Sequence, residues 1–314
     1  MRRIVGAAAG LMAAGLLVAC TGDPDSEEDE TPEPAPQETD ASQPPASAVD
    51  ACTAAPDDAL ATINPRNREP VSTLLIGDLV FDGCTLGDVY SMSFGVRMVD
   101  GGRDLAEIVA AGGDEATPLD GVGDEAFRSA TGGEPAVSIT VGARFGDHEV
   151  IMRNDAMSNS NPDNVVTEQE SIDFLTAFGE SLPDDYVEQA SSTRVGEGCP
   201  TAQAIDEALG VTVQLARGGT ADDAVRCTYL GEDLTAVQIN RSESSDPQAL
   251  LGEGEDLDLD GAEAATIEER PGSVEIRAQL SDDEVATVIV RAPGDDTVDA
   301  EPVVGIAREF IAMQ

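Results

Sequence analysis

Lysine and tryptophan are missing from this chain of 314 residues, and histidine occurs once, at His148. The aromatic fraction is 3%, and all 17 basic residues are arginine against 62 acidic ones, a formal net charge of −45. A nucleic-acid binder of the usual kind is excluded, because neutralising phosphate needs clustered Lys and Arg. One histidine excludes a metal site built on several, and any Ser-His-Asp or Cys-His arrangement not centred on His148. What is present suffices for ordinary cores. Hydrophobic residues make up 41%, and the length allows about two domains on a prior of roughly 150 residues each.

Residues 1–20 read as a secretory signal. Arg2 and Arg3 precede an uncharged apolar run from Ile4 to Ala19, shorter than the roughly 18 or more residues of a spanning helix. The run ends in Leu17-Val18-Ala19-Cys20, which looks like a bacterial lipobox. In such signals the cysteine is diacylated and becomes the first mature residue. Acyl chains on Cys20 would hold the protein at the outer face of the cytoplasmic membrane. Arg2-Arg3 is compatible with either the general or the twin-arginine route. No later segment reads as a span.

Residues 21–51 carry ten acidic residues, six prolines and no basic residue, with Val49 the only large apolar side chain. Such a composition cannot bury enough surface to offset chain ordering, and a disordered tether is expected. As a flexible coil it would reach about 30 Å. Its Glu27-Glu28-Asp29-Glu30 run has nothing to fix a calcium geometry.

Apart from Cys20, four cysteines remain, and four permit three pairings. An internal duplication chooses among them. Cys52-Thr53-Ala54-Ala55 matches Cys199-Pro200-Thr201-Ala202, and Cys84-Thr85-Leu86-Gly87 matches Cys227-Thr228-Tyr229-Leu230. Farther on, Leu119-Asp120-Gly121-Val122 answers to Leu259-Asp260-Gly261-Ala262. Alternating Val137, Ile139, Val141 answers to Val274, Ile276, Ala278. Each half closes on an amphipathic helix, with Ile172, Leu175, Phe178 and Leu182 on one face in the first and Val303, Ile306, Phe310 and Met313 in the second. Two copies of one domain are expected, with disulfides Cys52–Cys84 and Cys199–Cys227. Two disulfides fit small, aromatic-poor cores in an oxidising compartment.

The clearest strand alternates Tyr90, Met92, Phe94, Val96 and Met98 against Val89, Ser91, Ser93, Gly95 and Arg97. Leu105, Ile108 and Val109 suggest a short helix ended by Gly112-Gly113, and Asp246-Pro247 a helix start. The expected order per copy is α-β-β-α-β-β-β-α. The fold class is α+β: two tandem similar domains, each a twisted antiparallel sheet with helices packed on one face and one disulfide. The expected boundaries are 1–20 signal, 21–51 tether, 52–188 first domain and 198–314 second domain.

The lipobox, the acidic Pro-rich tether, the Cys-helix-Cys-strand opening and Gly121-Val122-Gly123-Asp124-Glu125-Ala126 together resemble small actinobacterial, mycobacterial-type secreted lipoproteins of unknown function. Each half resembles one copy. The second departs from the pattern, since Gly261-Ala262-Glu263-Ala264-Ala265 lacks the second Gly and the Asp. The resemblance implies an extracytoplasmic, non-enzymatic protein and transfers no catalytic residue.

Asp256, Asp258, Asp260 and Gly261 imitate the first half of a calcium loop, but its twelfth position is Ile267 where Glu is needed. Leu257 and Leu259 alternate with these acids as in a strand edge, which is the preferred reading. His148, in Gly146-Asp147-His148-Glu149, reads as a solvated turn residue with no nucleophile arranged about it. Paired carboxylates could run glycoside hydrolysis, but with 62 acids every window holds a pair. Met92, Met98 and Met152 fall on strand positions and read as core. The spread of acid through both halves suits a salt-tolerant host better than one cationic partner. The expectation is a lipid-anchored protein at the membrane's outer face that binds an envelope protein or small ligand, with no cofactor. A carrier for an acylated ligand is the alternative, and a carboxylate hydrolase the third reading.

Overall fold

The computed structural model describes residues 49–313 apart from 65–66, 77–78, 88–91, 133–136, 156, 158–164, 222 and 295. The signal, Cys20, the tether up to residue 48, and Val89, Tyr90 and Ser91 of the expected strand lie outside the described residues.

Copy one begins where Asp50 caps a helix. Its carboxylate accepts from Thr53 N–H at 2.8 Å, and Thr53 Oγ1 accepts from Asp50 N–H, a reciprocal capping box. The elements run α1 (Ala51–Ala54), α2 (Asp57–Ile63), β1 (Val71–Ile76), β2 (Val80–Leu86), β3 (Met92–Val99), α3 (Leu105–Ala110), β4 (Thr117–Pro118), β5 (Glu125–Thr131), β6 (Ser138–Phe145), β7 (His148–Asn154), α4 (Glu168–Ser181) and α5 (Tyr186–Ala190). A second capping box, Thr167 with Glu170, starts α4. Copy two runs α6 (Ala202–Leu209), β8 (Val213–Ala221), β9 (Ala224–Gly231), β10 (Ala236–Glu243), α7 (Pro247–Leu250), β11 (Glu255–Asp256), β12 (Ala264–Arg270), β13 (Ser273–Ser281), β14 (Glu284–Arg291) and α8 (Ala300–Ala312).

Both sheets are antiparallel with seven strands, in the orders β1-β2-β3-β7-β6-β5-β4 and β8-β9-β10-β14-β13-β12-β11. Those two orders are one topology written twice. Registers correspond from the cysteines outward: Cys84 lies opposite Phe94, and Cys227 opposite Ile239. Val141 opposite Met152 answers to Ile276 opposite Val288, so the expected match of Val141 with Ala278 is two residues out. Disulfides join Cys52 to Cys84 and Cys199 to Cys227, with Cα atoms 5.0 and 5.7 Å apart. Gly121 and Gly261 both take positive φ, at 81° and 88°, so the matched Leu-Asp-Gly segments turn alike. Each copy has seven strands where five were expected, and one of the seven is a two-residue edge (β4, β11).

On the face carrying the disulfide, here the front, Phe94 of β3 sits edge-on to Phe174 and Phe178 of α4, with centroids 4.7 and 5.0 Å away. Leu175, Phe178, Val141 and Met152 complete a buried core. In copy two, Val303, Ile306 and Phe310 of α8 join Ile239, Ile276 and Val288, whereas Met313 is 43% exposed because it caps the helix end. Helices lie on both faces, not on one as expected. A Cβ on Gly142 would meet Val109 Cγ2 at 2.6 Å and Leu105 Cδ1 at 2.9 Å. Since Gly142 alternates with front-facing Val141 and Ala143, α3 rests on the back.

The boundaries shift slightly. Ala51 is fully buried in copy one and Val49 packs on the same core, so the last tether residues belong to the fold. Tyr186 and Ala190 of α5 also sit in that core, carrying copy one past residue 188. The copies meet head to tail. The outer edge of β1 lies on the back face of copy two, where Leu74 N–H donates to Thr228 Oγ1 at 2.7 Å. Leu74 and Val80 pack there on Leu215, Leu230 and Ala236. The connecting segment runs along the other side of β8: Ala216 N–H donates to Ser192 O at 3.0 Å, and Gly196 N–H to Gly218 O at 2.7 Å. Both sheet edges at the junction are thereby covered.

Candidate functional site

Period two along β2 places Asp82 on the front face two residues before Cys84, wholly buried. Arg217, on the back face of β8, is 1% exposed and reaches it across the junction. Arg217 Nε donates to Asp82 Oδ1 at 2.7 Å, and Tyr186 Oη donates to Asp82 Oδ2 at 2.8 Å. Nη1 of Arg217 donates to Ser192 O at 2.9 Å and Ala216 O at 2.7 Å, and Nη2 to Ala190 O. Burial pushes the Asp82 carboxyl up from its ordinary value, against the downward pull of Arg217 and Tyr186. Burial, then the Asp82 charge, raises the Tyr186 phenol. Beside this cluster, linker residue Arg194 pairs with the Asp50 carboxylate that caps α1. Burial, then Arg217, lowers the Arg194 pKa. Sealed from solvent, the cluster can fasten the copies but cannot meet a substrate.

The duplication makes the pair informative. Val225 stands two residues before Cys227, in the place of Asp82. Val71 lies opposite Thr85 as Arg217 lies opposite Thr228. Each charge replaces a valine of the other copy, so the pair serves the junction and not the fold.

An open groove of about 310 Å³ lies on the back of copy one, between α3 and the β1–β2 hairpin. Leu75, Phe81 and Ile151 floor it, with Leu79 and Ile108 packed against them. Ser93 and Thr140 add hydroxyls, and Arg103 and Arg153 complete the polar part. No Asp or Glu lines it among the described residues. Arg153 is half-exposed and donates through Nε to both oxygens of Asp155, at 3.1 and 2.9 Å.

Matched by register, copy two lacks this apolar floor among the described residues. Ala221, Ala224 and Thr287 replace Leu75, Phe81 and Ile151. Across one row of strands, Gly83, Gly95 and Gly142 of copy one become Arg226, Asn240 and Arg277. Glycine lets α3 approach the sheet. Three large side chains leave the row, and apolar ones appear beside it.

The residues singled out from sequence lie elsewhere. Asp256, Asp258 and Asp260 are exposed, while the intervening Leu259 is buried and Leu257 half-buried. They project along the β11 edge, and no three of His, Cys, Asp or Glu gather to hold an ion among the described residues. His148 is not a solvated turn residue: it opens β7 and is 8% exposed. Its Nε2 lies 2.9 Å from Pro183 O, and its ring is edge-on to Tyr186. The cleft between the copies, about 340 Å³, is lined by Gly196, Gly218 and Gly219 together with Val71, Ser72 and Arg194. Sequence reasoning missed Asp82, Arg217, Tyr186 and the groove; comparing the copies at equal register would have found the first two.

No helix among the described residues is long and apolar enough to cross a membrane. Compared with known proteins, the chain matches no family model, no curated protein and no solved structure.

Proposed function

We propose that this is a lipid-anchored extracytoplasmic binding protein, non-enzymatic, whose two fastened copies divide the labour: copy two braces copy one, and copy one binds. The Leu17–Cys20 motif supports diacylation of Cys20 and a place at the outer face of the cell membrane. The two disulfides support an oxidising compartment. The likeness to actinobacterial envelope lipoproteins agrees with both.

One observation carries the binding role. The apolar floor of Leu75, Phe81 and Ile151 is found in one copy of a fold that does without it in the other. A feature dispensable to the fold and open to solvent is a candidate for recognition. The tether then sets the groove at a distance from the bilayer, within reach of envelope molecules.

The test is native mass spectrometry of the mature chain carrying Cys20→Ser, secreted from its own host. An adduct is expected that Ala111→Trp, at the exposed C-cap of α3 beside the groove, removes. A ligand-free monomer would shift the reading to an envelope protein partner. An adduct untouched by that substitution would move the site off the groove.

A further inference from the structure

We infer that the groove takes a single-chain amphiphile with an anionic head, an acyl chain ending in a carboxylate. The chain would lie on Leu75, Phe81 and Ile151, with the carboxylate at Arg103 and Arg153. This rests on the groove being the binding site.

Charge is the first argument. Of 314 residues 62 are acidic, yet no Asp or Glu among the described residues lines the groove while two of the 17 arginines do, Arg153 with its Nε on Asp155. An uncharged ligand would gain little from those guanidinium groups. Guanidinium suits a carboxylate in particular, through its planar fork of donors. The second argument is polarity along the groove. Apolar side chains from β1, β2 and β7 give way to Ser93 and Thr140 hydroxyls and the arginines, matching a molecule apolar along its length and polar at its end. Beside an apolar floor the local dielectric is low, which strengthens the ion pair relative to one in water. Size is the third. About 310 Å³ is at the small end of ligand sites, suited to one chain and not several.

The experiment is calorimetric titration of the mature Cys20→Ser chain with palmitate and, separately, methyl palmitate, both below the concentration of micelle formation. Palmitate should bind about tenfold more tightly, the effect of one charge-assisted hydrogen bond. The double variant Arg103→Gln/Arg153→Gln should bring palmitate down to the ester's affinity and leave the ester unchanged. Ala111→Trp should abolish both, with an unaltered circular dichroism spectrum. Equal affinity for acid and ester, both lost in Ala111→Trp, would overturn the anionic head and leave the groove reading standing. Failure of both ligands to bind, or binding that Ala111→Trp does not touch, would overturn both.

Discussion

Asp82 and Arg217 are 135 residues apart in sequence and meet at 2.7 Å, one in each copy, with both side chains removed from water. A buried ion pair contributes little net stability against an apolar replacement, because desolvation offsets much of the attraction. Its effect is on geometry. Three backbone carbonyls fix Arg217 in one orientation and Tyr186 fixes Asp82, and with them the angle at which copy two meets copy one.

Removing one partner should therefore be costly. Asp82→Val or Arg217→Val alone should destabilise by about 3–5 kcal/mol, since a buried charge is left unpaired. The double variant puts in both places the valine that the other copy uses, and should recover most of that loss. Urea unfolding followed by circular dichroism measures this. Strict additivity of the two single effects would show that the residues do not act as a pair.

Alkaline pH should unfold the protein through Tyr186 and Tyr229. Burial is the main cause that raises both phenols, aided by the Asp82 charge at Tyr186 and the Glu309 charge at Tyr229. In the unfolded chain each phenol ionises near pH 10. Above that pH the unfolded state binds fewer protons than the folded one, so stability is intact below it and falls as pH rises through it. Each tyrosine adds a slope of up to about 1.4 kcal/mol per pH unit. Stability measured from about pH 8 to 11 should fall less steeply in Tyr186→Phe/Tyr229→Phe. Equal slopes would mean that the phenols ionise in the folded protein.

Gly142 holds the wall of the groove in place. A valine there would drive into Val109 and Leu105, so α3 must lift from the sheet. Gly142→Val should cost about 1–3 kcal/mol by overpacking and weaken palmitate binding at least as much as the arginine substitutions do. Unaltered palmitate affinity would mean that α3 does not shape the site.

Much of the fold was legible because it rests on local or repeated pattern. The cysteine pairs, the Leu-Asp-Gly turns and the period-two faces of β3 and β7 appear twice or alternate cleanly. Strand β1 has no clean alternation, because Val71-Ser72-Thr73-Leu74-Leu75-Ile76 has apolar residues on both sides: the front ones meet copy two and Leu75 floors the groove. His148 was misjudged because its burial comes from Pro183 and Tyr186, more than thirty residues later. The one-face expectation for the helices failed at Gly142, whose missing side chain looks like a weak strand position until α3 is placed on it. The groove depends on three strands and a helix converging, which no single stretch of sequence announces.

The head-to-tail junction has one more consequence. Contacts of this kind, unlike two-fold ones, leave an unused half at each end, and unused halves can string molecules into open fibres. Here the series stops at two. The connecting segment from Ser192 to Gly196 lies along the edge of β8 that copy two would present to a third unit. Val225 and Val71 sit where the next Asp and Arg would have to be. The chain thus carries its own stop against head-to-tail growth.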